Sequence, residues 1–217
     1  MEKAYKGMGM EGSIARWYEK TTRKDMEEFR QLAGRIANIV PADGEILEVA
    51  PGPGFLAIEL AKTNRFRVTG LDISKTFVDL ARKNADELGV KVNFEHGNAS
   101  NMPFPEKSFN FIVCRAAFKN FSEPVRAIKE MHRVLKPGGK GVIIDLRRDV
   151  PMPEIVSHVD KMGLSTMSGL FTKMAFRFSL LKRAYTASEF EEMLAQVPFH
   201  NSEIQLAPIG LEAWFER

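Results

Sequence analysis

Ile46-Leu47-Glu48-Val49-Ala50-Pro51-Gly52-Pro53-Gly54, followed about twenty residues on by Val68-Thr69-Gly70-Leu71-Asp72, decides the reading of this chain. An apolar run ends in an acid, passes through a glycine-rich turn and enters a helix; a second apolar run then ends in another acid. Gly52 and Gly54 let a backbone turn tightly and approach a ligand where a Cβ would collide. Asp72, at the tip of the second strand, can accept hydrogen bonds from two ribose hydroxyls. The pair of features suits a nucleoside-type cofactor.

Working outward, hydrophobic periodicity switches repeatedly between helix and strand. Met26, Phe29, Leu32, Ala33, Ile36 and Ala37 recur at helical spacing and predict a helix over 25–40, broken by Pro41-Ala42-Asp43-Gly44. Strands are expected at 45–50, 67–71, 90–95, 109–114 and 140–146, and helices at 55–62, 74–88 and 123–135. Ser74 is placed as an N-cap, and Gly89 lies just past the end of its helix. Lys136-Pro137-Gly138-Gly139 should stop the helix before the strand around Val142-Ile143-Ile144.

Such alternation argues for a doubly wound, mostly parallel sheet covered by helices on both faces. The last two runs, 200–206 and 209–215, are joined by a turn at Ala207-Pro208, which makes them an antiparallel pair and brings the expected sheet to seven strands. Ligands in such folds bind at the carboxyl ends of the strands, near the switch in strand order. Glu48, Asp72, Asn98 and Arg115 all fall at or just beyond strand ends.

The chain of 217 residues is long enough for one domain with a substantial core. With 44% hydrophobic and 27% charged residues it reads as soluble and globular. A single cysteine excludes an intrachain disulfide and a cysteine-built metal site, which favours a reducing, cytoplasmic setting. No run approaches a membrane span, and the N-terminus has no signal-peptide core. The net charge of +3 is uneven: between Leu146 and Tyr185, seven cations, including Arg147, Arg148, Lys173, Arg177, Lys182 and Arg183, face three acids. That segment offers weak contact with a membrane surface, or simply a solvated helix face.

Gly52-Pro53-Gly54-Phe55-Leu56-Ala57 also fits the dinucleotide fingerprint, so a nicotinamide-dependent dehydrogenase is an alternative. Glu48 argues against it, because a carboxylate repels a pyrophosphate and attracts a cationic amino-acid tail. Further blocks follow in order: Gly70-Leu71-Asp72-Ile73-Ser74, Gly97 to Phe104, Ser108 to Val113, and Val134-Leu135-Lys136-Pro137-Gly138-Gly139. Together these stretches resemble the class I S-adenosylmethionine-dependent methyltransferases, in particular the small-molecule branch that includes the ubiquinone and menaquinone C-methyltransferases. The resemblance is strongest over 45–146.

The resemblance implies a Rossmann-like methyltransferase fold, S-adenosylmethionine as cofactor and S-adenosylhomocysteine as product. It places Glu48 near the amino-acid end of the cofactor and Gly52 and Gly54 beside its methionine part. Asp72 falls on the ribose hydroxyls, Ile73 against the adenine face, and Asn98 and Ala99 at the ring edge. Arg115 borders the methionine end through its backbone. Tyr18 is implied as an aromatic of an N-terminal helical lid spanning 1–44, although Trp17 and Tyr18 also suit a core. Two residues depart from the usual motif: Ala50 replaces the first glycine and crowds the turn, and Asn98 replaces an aspartate with an uncharged acceptor.

The reaction expected is methyl transfer to a small organic acceptor, with the whole chain as one catalytic domain and 150–185 as a helical cap insertion. Met, Phe and Leu residues from Met152 to Leu181 suggest either a hydrophobic acceptor pocket or packing of the cap. No catalytic base is identified; His158, in the cap, is the one histidine worth testing. His96, His132, His158 and His200 lack metal-ligand spacing, and no metal is expected. The segment after the fourth strand, Cys114-Arg115-Ala116-Ala117-Phe118, lacks the Asp/Asn-Pro-Pro-Tyr/Phe block of amino-methylating DNA enzymes, so no nucleic-acid substrate is expected. A cofactor-binding or membrane-surface protein without turnover is the remaining alternative.

Overall fold

The computed structural model describes residues 5, 6, 9–161 and 180–217. Two helices come first, α1 (Gly12–Thr22) and α2 (Met26–Ala37), joined by a 3-10 turn at Arg23–Asp25. Then follow β1 (Gly44–Val49), α3 (Phe55–Ala61), β2 (Phe66–Asp72), α4 (Lys75–Glu87), β3 (Asn93–His96), β4 (Phe109–Arg115), α5 (Pro124–Val134) and β5 (Leu135–Leu146). The C-terminal part holds α6 (Met152–Lys161), one helical turn at Leu181–Arg183, α7 (Ala187–Leu194), β6 (Asn201–Leu206) and β7 (Gly210–Glu216).

Among the described residues the strands form one seven-stranded sheet in the order β3-β2-β1-β4-β5-β7-β6. All neighbours are parallel except β7, which runs antiparallel to both β5 and β6. The order reverses direction between β1 and β4, which creates a crevice at the carboxyl ends of the central strands. Residues alternate across the sheet, so each strand feeds two cores. Ile46, Val68, Phe111, Val113 and Val142 pack against α2, α3 and α4. Leu47, Val49, Ile112, Cys114 and Ile143 pack against α5 and α7. Burial on both faces explains the continuous apolar runs of β1 and β4. The outermost strand, β6, is largely exposed and carries Asn201, Ser202, Glu203 and Gln205.

The caps follow their sequence signals. Ser74 Oγ accepts from Phe77 N–H at 3.1 Å and starts α4. Thr186 and Glu189 form a reciprocal capping box on α7. Two expectations need correction. The Pro137-Gly138-Gly139 stretch does not precede β5 but lies inside it, as a register shift between the Phe109–Leu135 and Phe111–Lys140 pairings. Gly138, at φ +72°, donates to the C-terminal Arg217 carbonyl at 2.6 Å, which gives the interrupted ladder another partner. Likewise β3 starts only at Asn93, because Val90 and Val92 turn their side chains onto the core without pairing.

Within 150–185, Val150, Ile155, Val159 and Leu181 make a small core of their own. The apolar and basic run from Met162 to Phe178, with Lys173 and Arg177, lies outside the described residues. Among the described residues no helix is long and apolar enough to cross a membrane.

Gly141, on β5, faces Phe215 of β7, and a Cβ added there would fall 2.3 Å from the ring. Gly141→Ala should therefore force β7 outward and cost on the order of 1–3 kcal/mol, read as a lower urea midpoint at unchanged slope.

Candidate functional site

The two acids singled out by the sequence stand at the ends of adjacent parallel strands. Glu48 pairs with Gly70, and Val49 with Leu71. Beyond Val49 the chain leaves the sheet: Ala50 donates its N–H to Leu71 O at 2.8 Å while sitting at φ +57°. Gly52 follows at φ +56° and Gly54 at φ +81°, so three left-handed residues fold the segment back into α3.

The glycines have different tasks. A Cβ on Gly52 would meet Tyr18 Cε1 at 3.9 Å and Phe77 Cζ at 4.0 Å, ordinary contact distances, so at this buried residue the dihedral rather than crowding asks for glycine. A Cβ on Gly54 would fall 2.7 Å from Phe94 and 2.9 Å from Ala81. Gly54 is therefore required by helix–sheet packing, and by its own dihedral, rather than by approach to a ligand. Ala50 occupies a conformation that favours glycine, which accounts physically for the glycine usual at this point of the motif.

Asp72 is 5% exposed. Gly52 N–H donates to its Oδ2 at 2.9 Å and Ser74 N–H to its Oδ1 at 2.8 Å. Each oxygen keeps a lone pair for a further donor. Burial pushes its pKa up to about 6 against those two backbone bonds. Glu48 is 3% exposed, and its Oε2 accepts from Ala57 N–H at 2.8 Å. Burial pushes Glu48 up to about 8, with the Ala57 N–H and the Arg115 charge opposing the rise and the Asp72 charge adding to it. No ion pair joins Glu48 among the described residues. Two carboxyl groups are thus buried without a paired cation among the described residues.

The other residues named from sequence surround this turn. Tyr18, on α1, packs edge-on to Phe77 of α4 with ring centroids 5.8 Å apart. Ile73 follows Asp72, and its carbonyl lies 3.1 Å from His96 Nε2, which joins the ends of β2 and β3. Asn98 Oδ1 already accepts from Ser100 N–H at 2.9 Å, a local turn that fixes the amide beside Ala99. Arg115 Nη2 donates to Glu28 at 2.6 Å, and its guanidinium lies 4.6 Å over the Phe29 ring. His158 lines a different cavity, of about 300 Å³, with Pro153, Glu154, Ser157 and Pro208.

Sequence reading passed over two features. Glu11 reaches across to α4, accepting from the N–H groups of Lys75 at 3.0 Å and Thr76 at 3.1 Å, while Gly12 N–H donates to Thr76 Oγ1 and Ser74 Oγ to Met10 O. This clasp holds the N-terminal segment against the turn that carries Asp72. Lys119 and Asp145 form a buried ion pair at 2.9 Å, with Lys119 N–H also donating to Asp145 Oδ2. It ties the segment after β4 to β5. A lysine inside Ala116-Ala117-Phe118-Lys119-Asn120-Phe121 was its only signal.

A family profile described as a methyltransferase domain matches residues 46–139. The demethylmenaquinone methyltransferase of Chlorobaculum parvum is 33% identical over 165 residues, covering 73% of this chain and 67% of that protein. The ubiquinone/menaquinone biosynthesis C-methyltransferase of Geotalea daltonii is 28% identical over 193 residues, covering 84% and 81%. The chain spans only about two thirds of the first curated relatives, and the match covers 42% of one from Deinococcus radiodurans. Among solved structures, a Methanococcus maripaludis protein described as a candidate S-adenosylmethionine-dependent methyltransferase aligns over 100% of this chain and 97% of its own, with a TM-score of 0.77 at 20% identity. The [4+2]-cyclase SpnF aligns over 81% of this chain and 59% of its own, with a TM-score of 0.61 at 24% identity. At these identities the structures establish the fold, and the fold alone does not fix the chemistry.

Two outcomes follow from the turn. The folded chain holds a proton on Glu48 between its ordinary value of 4.5 and about 8 that the unfolded chain releases. Stability should therefore fall as pH rises through that window and level off above it. Glu48→Gln cannot ionise and should lose that slope, gaining on the order of a few kcal/mol over the parent at about pH 8, read by cofactor-free urea unfolding. Equal slopes in the two proteins would show that the charge is not buried. Separately, Ala50→Gly should relieve the left-handed strain and raise stability by about 0.5–1 kcal/mol, seen as a higher melting temperature.

Proposed function

This chain belongs to the S-adenosylmethionine-dependent methyltransferase family, and we propose that its acceptor is a small, apolar aromatic molecule bound beyond the end of β4. The observation that carries the cofactor assignment to particular residues is the pair of buried carboxylates flanking the left-handed turn at Gly52. Asp72, fixed by Gly52 and Ser74, has lone pairs left for the two ribose hydroxyls. Glu48 lacks a cation, and the ammonium of a methionine tail is one; a dinucleotide pyrophosphate in its place would be repelled. Tyr18 covers the turn from α1, Ile73 offers an apolar wall to the adenine, and Asn98 and Ala99 lie at the ring edge. Arg115 borders the tail with its backbone.

When bound, S-adenosylmethionine supplies a methyl group already activated by its sulfonium. The protein's share is to hold the acceptor in line, exclude water and keep the turn rigid, so positioning supplies much of the rate. Phe118, Phe121, Tyr185 and Phe190 pack as one aromatic cluster beyond β4, with centroid separations of 5.2–5.9 Å. This cluster is part of the buried core, with Phe118 and Phe190 fully buried, and it stiffens the wall beyond β4. The demethylmenaquinone named for the relatives is the first candidate to try. Cys114, buried and without a disulfide partner, suits a reducing compartment such as the cytoplasm.

Calorimetric titration with S-adenosylmethionine, S-adenosylhomocysteine and NAD tests the site. Both sulfur nucleosides should bind and NAD should not. Asp72→Ala should weaken binding more than tenfold, about 1.4 kcal/mol. Unchanged affinity in a folded variant would remove Asp72 from the site, and binding without transfer to demethylmenaquinone would remove that acceptor.

A further inference from the structure

Helix α1 has two different sides. Inward, Ala15 is fully buried and Tyr18 stands over the glycine turn. Outward, Arg16, Trp17, Lys20 and Lys24 are exposed at helical spacing, continuing into the 3-10 turn. Trp17 is 65% exposed, more than any other large hydrophobic residue described. Neither Arg16 nor Lys20 makes an ion pair among the described residues. The acid on the same helix, Glu19, is taken up by Arg23 at 2.8 Å, and Asp25 lies beside Lys24.

We propose that this outward face of α1 docks on an anionic phospholipid surface. An indole is at its most favourable at the level of lipid headgroups, half in water and half in hydrocarbon. Long cationic side chains beside it lie with their stems along the apolar surface and their charges among the phosphates. A helix with this division of faces lies in the plane of the interface rather than across it. The docked face and the residue covering the cofactor crevice share one rigid element, so a surface-bound enzyme holds its crevice close to the bilayer. The inference extends the apolar-acceptor reading, since such an acceptor concentrates in a bilayer.

Sedimentation of the full chain with vesicles tests it. The protein should pellet with phosphatidylcholine vesicles containing about 30 mol% phosphatidylglycerol and stay in solution with phosphatidylcholine alone. Binding should weaken as NaCl rises from about 50 to about 300 mM. Trp17→Ser, and separately Arg16→Glu with Lys20→Glu, should each lower the bound fraction about fivefold or more. Lys129→Glu, on the exposed side of α5, should leave it unchanged. All the substituted residues are exposed, and matched unfolding midpoints confirm that each variant is folded. The inference is overturned by equal binding to both vesicles, by none to the anionic ones, by an equal loss in Lys129→Glu, or by capture on duplex DNA instead of lipid. The assay uses neither cofactor nor acceptor, so its failure is distinguishable from failure of the acceptor assignment.

Discussion

The hydrogen bond from Gly52 N–H to Asp72 Oδ2 is the constraint on which the site depends. It joins the turn after β1 to the tip of β2, two segments that the parallel ladder alone leaves to diverge. Gly52 is left-handed, its N–H points at the carboxylate, and its α-carbon lies under Tyr18 and Phe77. Ser74 N–H holds the second oxygen, and Ser74 Oγ in turn caps α4. One short network thus sets the strand ends, the helix start and the acid at the crevice.

Burial of charge gives that network its chemical meaning. A folded chain normally avoids enclosing carboxylates without cations, and here it encloses two. Arg115, the nearest cation to act on Glu48, is committed to Glu28 and the Phe29 ring. The imbalance is one that a positively charged nucleoside with free sugar hydroxyls removes. Lys119 and Asp145 show the opposite arrangement close by, a buried pair neutralised within the protein and used to fasten one strand end to another.

Much of this was legible in the sequence because the signals are local. Apolar runs with glycine punctuation mark β1, β2 and β4, and Ser74 marks a helix start within three residues of its partner. The acids at Glu48 and Asp72 could be placed because strand ends are where such folds bind ligands. Features made by distant residues were not legible. Lys119 and Asp145 are 26 positions apart, and Glu11 meets Thr76 across 65. Helix α1 was expected only through the helical lid over 1–44 that the resemblance implies, because with only Ala15 and Thr22 buried along it the helix prints no apolar stripe of its own. The Gly138-Gly139 bulge read as a break because glycine signals a turn and a kinked strand alike.

The open edges of the sheet have a further consequence. One border, β3, presents Asn93 and Glu95, and the other, β6, presents Ser202, Glu203 and Gln205. Unpaired strand borders are templates on which a second molecule can continue the ladder, and polar or charged side chains make that continuation costly. The architecture therefore guards itself against propagating β-assembly from either side.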